Sequence, residues 1–241
     1  MNGADNMRLT VRDVGRFLGV AEATVARWIK QRGLPAQYVG GQHRFNRAEV
    51  LEWATANKLR VSVEMFDNLE DEDDAPPSLA DALAAGGIHY RLKSSSKDAA
   101  LRALVDVLPL PEGTDRELLL RLFQAREASA STGIGDGIAL PHVRNPIVLN
   151  VDRPTITLCC LEQPVDFGAL DGKPVVALFS MICPTTRTHL QLLARLAYAL
   201  HDPLLKAQVL GAAPAEQILS EVRRVEAALP TPTEGGREAT A

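Results

Sequence analysis

Between Glu64 and Asp74 the chain carries seven carboxylates (Glu64, Asp67, Glu70, Asp71, Glu72, Asp73 and Asp74) and not one basic residue, and Pro76-Pro77 follows after Ala75. Self-repelling charge followed by stiff prolines cannot contribute to an apolar core, so this stretch reads as a linker. It therefore divides the 241 residues into two domains: residues 7–60, a linker over 61–77, and residues 78–229, with a polar tail over 230–241. The charge is divided in the same way. From Met7 to Arg60 there are ten Lys and Arg against four Asp and Glu, a net +6; with −4 for the whole chain, the remainder carries −10. A basic head on an acidic body points to a polyanionic partner for the head. The acidic linker is expected to compete for the same basic face.

The head shows compact helical punctuation. Thr10 with Asp13 three residues on predicts a capping box and a helix through Leu18, and Gly19 makes a turn. A second helix is expected from Ala21 to Arg32, with Val25 and Ile29 on one face, ended by Gly33-Leu34-Pro35. A hairpin around Gly40-Gly41 and a helix from Arg47 to Asn57 complete the unit. Leu9-Thr10-Val11, Leu18-Gly19-Val20, Thr24-Val25-Ala26-Arg27-Trp28-Ile29, Gly33-Leu34-Pro35 and Arg44-Phe45 resemble the winged helix-turn-helix of excisionase and MerR-type proteins. That resemblance implies that Glu22, Thr24, Arg27, Lys30 and Gln31 face DNA, with Arg44 and His43 on the wing, and that Trp28, Phe45 and Trp53 form the core. The competing reading keeps the same fold as a protein-docking module.

In the body, short apolar runs at Ile88–Leu92, Ile138–Leu140, Thr155–Leu161 and Val175–Cys183 read as strands. Helices are expected over Leu79–Ala85, from a cap at Ser95 or Ser96 to Leu108, from Thr114 to about Arg126, and from Thr185 or Thr186 through a Leu190, Leu193, Ala197, Leu200 stripe. Two more follow near Pro203–Leu210 and Pro214–Ala228. Strands spaced between helices imply an α/β body: a mixed sheet covered by helices on both faces, carrying the small winged helix-turn-helix head. Cys159, Cys160 and Cys183 lie in apolar runs without a Cys-x-x-Cys pair, which reads as buried reduced thiols rather than a zinc or redox site. No apolar leader or membrane-length run is present in the sequence, so the expectation is a cytoplasmic protein without membrane insertion.

The chemistry concentrates in Ser131-Thr132-Gly133-Ile134-Gly135-Asp136-Gly137-Ile138-Ala139-Leu140-Pro141-His142. Three glycines in five positions let a backbone loop approach an anion, and Pro141 ends the following strand so that His142 is delivered beside that loop. Imidazole, largely neutral near pH 7, suits a reversible phosphoryl relay. A phosphoryl group adds about −1.5 to −2 charge and needs surrounding donors. Candidates are the hydroxyls of Ser131 and Thr132, the backbone of Gly133 to Gly137 (Gly133 and Gly135 above all), Arg126, and His189 in the first turn of a long helix. Arg126 could instead pair with Glu127 or a helix C-terminus, and His189 could be structural. A metal site is not expected, because His142 and His189 lack accompanying ligands.

The twelve-residue stretch, with Arg126-Glu127-Ala128 and Thr188-His189-Leu190, resembles enzyme IIA domains of the bacterial phosphotransferase system, of the mannitol/fructose and nitrogen-regulatory type. The resemblance spans roughly residues 78–229. It implies a phosphohistidine at His142, a phosphoryl donor such as phosphorylated HPr or its nitrogen-branch counterpart, and no cofactor. It leaves two uses for the group: a signal coupled to DNA binding by the head, or transfer to a IIB cysteine in sugar uptake with the head as a docking module. Val143 stands where the family often has a smaller residue, which is expected to narrow the mouth of the pocket and affect partner choice; Arg144 beside it is expected to be solvated.

Overall fold

The computed structural model describes residues 9–59, 61, 76–143 and 151–229. Most of the linker, Arg144 and the tail from Pro230 lie outside the described residues. In the head, α1 (Val11–Phe17) opens on the expected capping box: Thr10 Oγ1 accepts from the Asp13 amide at 3.2 Å, and Asp13 Oδ2 accepts from the Thr10 amide at 2.8 Å. Helix α2 (Glu22–Gln31) follows the turn at Gly19. Strands β1 (Gln37–Val39) and β2 (Gln42–Arg44) form an antiparallel hairpin around Gly40 and Gly41. Both glycines have positive φ, 58° and 80°, as the tight turns that match strand twist require. Helix α3 (Arg47–Ala56) is capped by Asn46, which accepts from the amides of Ala48 and Glu49. Trp28 and Trp53 meet with centroids 5.4 Å apart, and the Trp53 indole donates to the Arg32 carbonyl at 3.0 Å, so both aromatics are buried with Phe45.

The body contains a five-stranded mixed sheet in the order β3-β6-β7-β5-β4, formed by β3 (Ile88–Leu92), β4 (Gly133–Gly135), β5 (Ile138–Ala139), β6 (Thr155–Val165) and β7 (Val175–Ile182). The long β6–β7 pair is antiparallel, β3 and β5 join it in parallel, and β4 turns back antiparallel as the edge. Its helices are α4 (Leu79–Gly86), α5 (Lys97–Val107), α6 (Arg116–Ser129), α7 (Thr186–Ala199), α8 (Pro203–Leu210) and α9 (Ala215–Ala227). Period-two alternation divides the core. Ile156, Leu158, Cys160, Phe179 and Met181 pack on the side of α4, α7, α8 and α9, whereas Cys159, Leu178 and Ile182 pack against α5 and α6. The three cysteines are buried and free, and burial pushes the Cys159 and Cys183 thiols up to about 12.

Two features differ from the sequence expectation. Residues 133–135 are a strand rather than a loop: Gly133 pairs with Ala139 and Gly135 with Ile138, and the reversal runs through Gly135, Asp136 and Gly137, all at positive φ (87°, 53° and 80°). The head also does not stand apart. Helix α3 packs against α7 and β4, and the apolar cluster containing Phe17, Trp28 and Trp53 continues into Leu190, Leu193 and Ile138 of the body.

Candidate functional site

His142 stands just beyond β5. The Leu140 amide donates to the Thr132 carbonyl at 2.9 Å, extending the ladder by one residue, and Pro141, without an N–H, ends it. The His142 Nδ1 lies 2.6 Å from the Leu140 carbonyl. A carbonyl oxygen only accepts, so Nδ1 carries the hydrogen and Nε2 is the nitrogen turned into the site. His189, in the first turn of α7 behind its Thr185 cap, lies against His142 with ring centroids 5.3 Å apart at 43°. Burial, helped by the neighbouring His142, holds the His189 ring down at about 3, so it is neutral at ordinary pH and retains one N–H to donate.

Arg126, in the last turn of α6, is buried. Its Nη1 donates to the Ala130 carbonyl at 2.8 Å and its Nη2 to Glu52, while its Nε has no hydrogen-bond partner among the described residues. It does not pair with Glu127, which instead accepts from the amide and hydroxyl of Thr132 and faces Lys97 at 3.6 Å. The Ser131 hydroxyl donates to the Phe167 carbonyl at 2.7 Å and accepts from the Gly133 amide at 3.0 Å. Ser131 and Thr132 line the small cavity at His142 and Arg126. Gly133 and Gly135 are held in β4 instead, and Gly135 borders the adjoining cavity at Asp136. Asp136 anchors that neighbourhood, accepting from Lys58, Lys173 and Lys206 at 2.8, 3.2 and 3.0 Å; these bonds hold its carboxyl well below the usual range.

Glu52, from the middle of α3, was not among the sequence candidates. Its Oε1 is 2.8 Å from His142 Nε2, and its Oε2 pairs with Arg126. Burial pushes its carboxyl up, but the His142 hydrogen bond and charge together with Arg126 more than offset this and hold it at about 2. Nothing local to α3 marks Glu52 for this role. The available signal was its place between apolar pairs, Val50-Leu51 and Trp53-Ala54. Val143 is buried in the core on the α5/α6 side instead of narrowing the pocket mouth.

In the head, Glu22, Arg27, Lys30 and Gln31 are exposed along α2, Thr24 is half-buried beside them, and Arg44 and His43 are half-buried in β2. The His43 ring and the exposed Tyr38 ring meet in a T-shaped contact with centroids 5.1 Å apart. No described helix is long and apolar enough to cross a membrane.

Residues 82–224, more than half of the chain, match the family described as phosphoenolpyruvate-dependent sugar phosphotransferase system, EIIA 2, and residues 8–58 match a helix-turn-helix domain. A nitrogen regulatory protein of Pseudomonas aeruginosa is 33% identical over 152 residues, covering 61% of this chain and 96% of its own length. The fructose-specific EIIA component of Haloferax volcanii is 32% identical over 122 residues, covering 49% of this chain and 77% of its own. The crystal structure of nitrogen regulatory protein IIA-Ntr from Neisseria meningitidis superimposes with a TM-score of 0.53 at 25% identity, covering 60% of this chain and 98% of that one. With that match over the body, and a helix-turn-helix domain ahead of it, the chain belongs to the EIIA type 2 family of the sugar phosphotransferase system.

Proposed function

We propose that this protein is a cytoplasmic phosphocarrier that uses phosphohistidine as a signal read by its DNA-binding head. His142 Nε2 attacks the phosphorus of a phosphorylated HPr-type carrier. The N–P bond to the carrier breaks, and the carrier's imidazole keeps the electron pair. The observation that supports this reading is the 2.6 Å contact of His142 Nδ1 with the Leu140 carbonyl, which makes Nδ1 a donor and turns Nε2 toward the side of the site that holds the Arg126 guanidinium. Positioning and charge stabilisation are what a phosphoryl transfer needs from a protein. Arg126 supplies a planar fork suited to phosphoryl oxygens, and the neutral His189 supplies an N–H donor without a second buried cation. Ser131 and Thr132 shape the wall of the site, and Gly133 and Gly135 lead away from it in β4.

The resemblance of the body to a nitrogen regulatory protein, together with the helix-turn-helix domain, favours a regulatory use over passing the group to a IIB cysteine. The exposed Glu22, Arg27 and Lys30, with Thr24 between them and Arg44 on the hairpin, form the proposed DNA face. Incubation of the full chain with phosphorylated HPr-type carrier should give one acid-labile, base-stable adduct that maps to His142 and is absent from His142→Ala. A label on another residue, or one that survives that substitution, overturns the reading.

A further inference from the structure

The open nitrogen of His142 is not open in this conformation. Glu52 of the head reaches it, pairs with Arg126 through its other oxygen, and leaves a residual cavity of about 20 Å³, room for roughly one water. An ionised carboxylate only accepts, so the Nε2 that meets it donates as Nδ1 does to Leu140; both ring nitrogens then carry hydrogen, and Nε2 offers phosphorus a lone pair only after the carboxylate leaves and that proton with it. The carboxylate also takes the Arg126 fork that a phosphoryl oxygen would use. A second contact fastens the same surface: Lys58, just past α3, lies 2.8 Å from Asp136 and 3.7 Å from Asp171 on the rim of the body.

From this geometry we infer that α3 of the head is an intramolecular cap on the phosphorylation site, with the Glu52 carboxylate as an occupant that a phosphoryl group replaces. The inference rests on the phosphohistidine reading above for what competes with the cap. Capping and phosphorylation exclude each other for two physical reasons. Phosphorus with its oxygens cannot be placed on Nε2 while Oε1 stands 2.8 Å away, and a group carrying about −1.5 to −2 charge repels a buried carboxylate. Phosphorylation therefore releases α3, and the donor gains access only to molecules whose cap has lifted. The recognition helix α2 is not part of the docked surface, since its Glu22, Arg27 and Lys30 remain exposed. The capped state thus fixes where the head points and leaves its DNA face uncovered.

The test uses the full chain, with Glu52→Lys to expel the cap and Glu52→Gln to remove its charge at constant shape. Amide relaxation by NMR should show head and body tumbling as one unit in the unmodified protein. It should show a faster-tumbling head in Glu52→Lys and in wild type labelled at His142. If one molecule in about ten is uncapped at any moment, Glu52→Lys takes the label from HPr-type carrier about ten-fold faster than wild type, with Glu52→Gln between them. A head that still tumbles with the body after labelling, or a wild-type labelling rate in Glu52→Lys, overturns the cap. If no variant takes label, the phosphohistidine reading fails, and the cap is judged on tumbling alone. A freed head in Glu52→Lys then upholds docking through Glu52, and a head that remains docked refutes it.

Discussion

The buried, neutral His189 gives the fold a pH dependence over a higher range than that of the ion pair beside it. Its ring titrates at about 3 in the folded protein against an ordinary 6.5, so between those values the unfolded chain binds a proton that the folded chain refuses. Stability is therefore full above about 6.5 and falls as pH drops through that window. Glu52 acts over a lower range: held at about 2 against an ordinary 4.5, its contribution is complete above 4.5 and is lost as pH falls toward 2. Urea midpoints at pH 7.5 and pH 5 separate the two. The wild type should lose stability between them, and His189→Gln, which has no ring to protonate, should lose less; equal losses would show that His189 does not carry the slope. His142 and His189 were legible in sequence through a contiguous motif and a capped helix start, and Arg126 only through the resemblance of Arg126-Glu127-Ala128 to the family. Glu52 was not, because its role arises from a contact across 90 residues of chain that no local pattern encodes.

At the scale of elements, the caps were the most legible signals, since a side chain two or three residues from its amide is a local fact. Thr10 with Asp13, Ser96 and Thr185 all cap as expected, and the start predicted at Thr114 falls one residue later on Asp115. Strand β4 was missed because Gly-Ile-Gly has little strand propensity of its own. It is extended through pairing with β5 and through α3 lying against it, which shields the short edge of the sheet. Helix α3 is the counterpart case: a run of apolar residues too continuous for one face of a small domain, explained once a second body is packed on it. Gly86 marks another close approach. At the end of α4 an added Cβ would overlap the Ile156 carbonyl of β6, where the neighbouring Leu158 amide already donates to the Gly87 carbonyl at 3.0 Å. Gly86→Ala should cost about 1–3 kcal/mol, the range for overpacking, and chemical denaturation checks it; a neutral result would mean that β6 shifts freely.

For the whole molecule, the boundary read from charge at the acidic, proline-bearing segment lies mostly outside the described residues, whereas the mixed sheet of the larger body was readable from periodicity. How the bodies meet was not, since charge alone pointed to the linker rather than to a single carboxylate on α3. The exposed α2 face carries a separate expectation. Arg27→Ala and Arg44→Ala should each weaken binding of the full chain to duplex DNA and reduce the steepness of its salt dependence, as measured by fluorescence anisotropy over a salt series. No binding to genomic DNA fragments at low salt would assign the head to protein docking instead. Because Glu52 and His142 belong to one polypeptide, the concentration of Glu52 felt by His142 is set by tether length and stiffness. It does not change with the number of copies in the cell. A free inhibitor would be diluted or outnumbered as expression varies, but this one is present at one equivalent in every molecule. The fraction of sites open to a phosphoryl donor is therefore an intrinsic constant of the chain, and the response follows the state of the donor pool rather than the abundance of the responder.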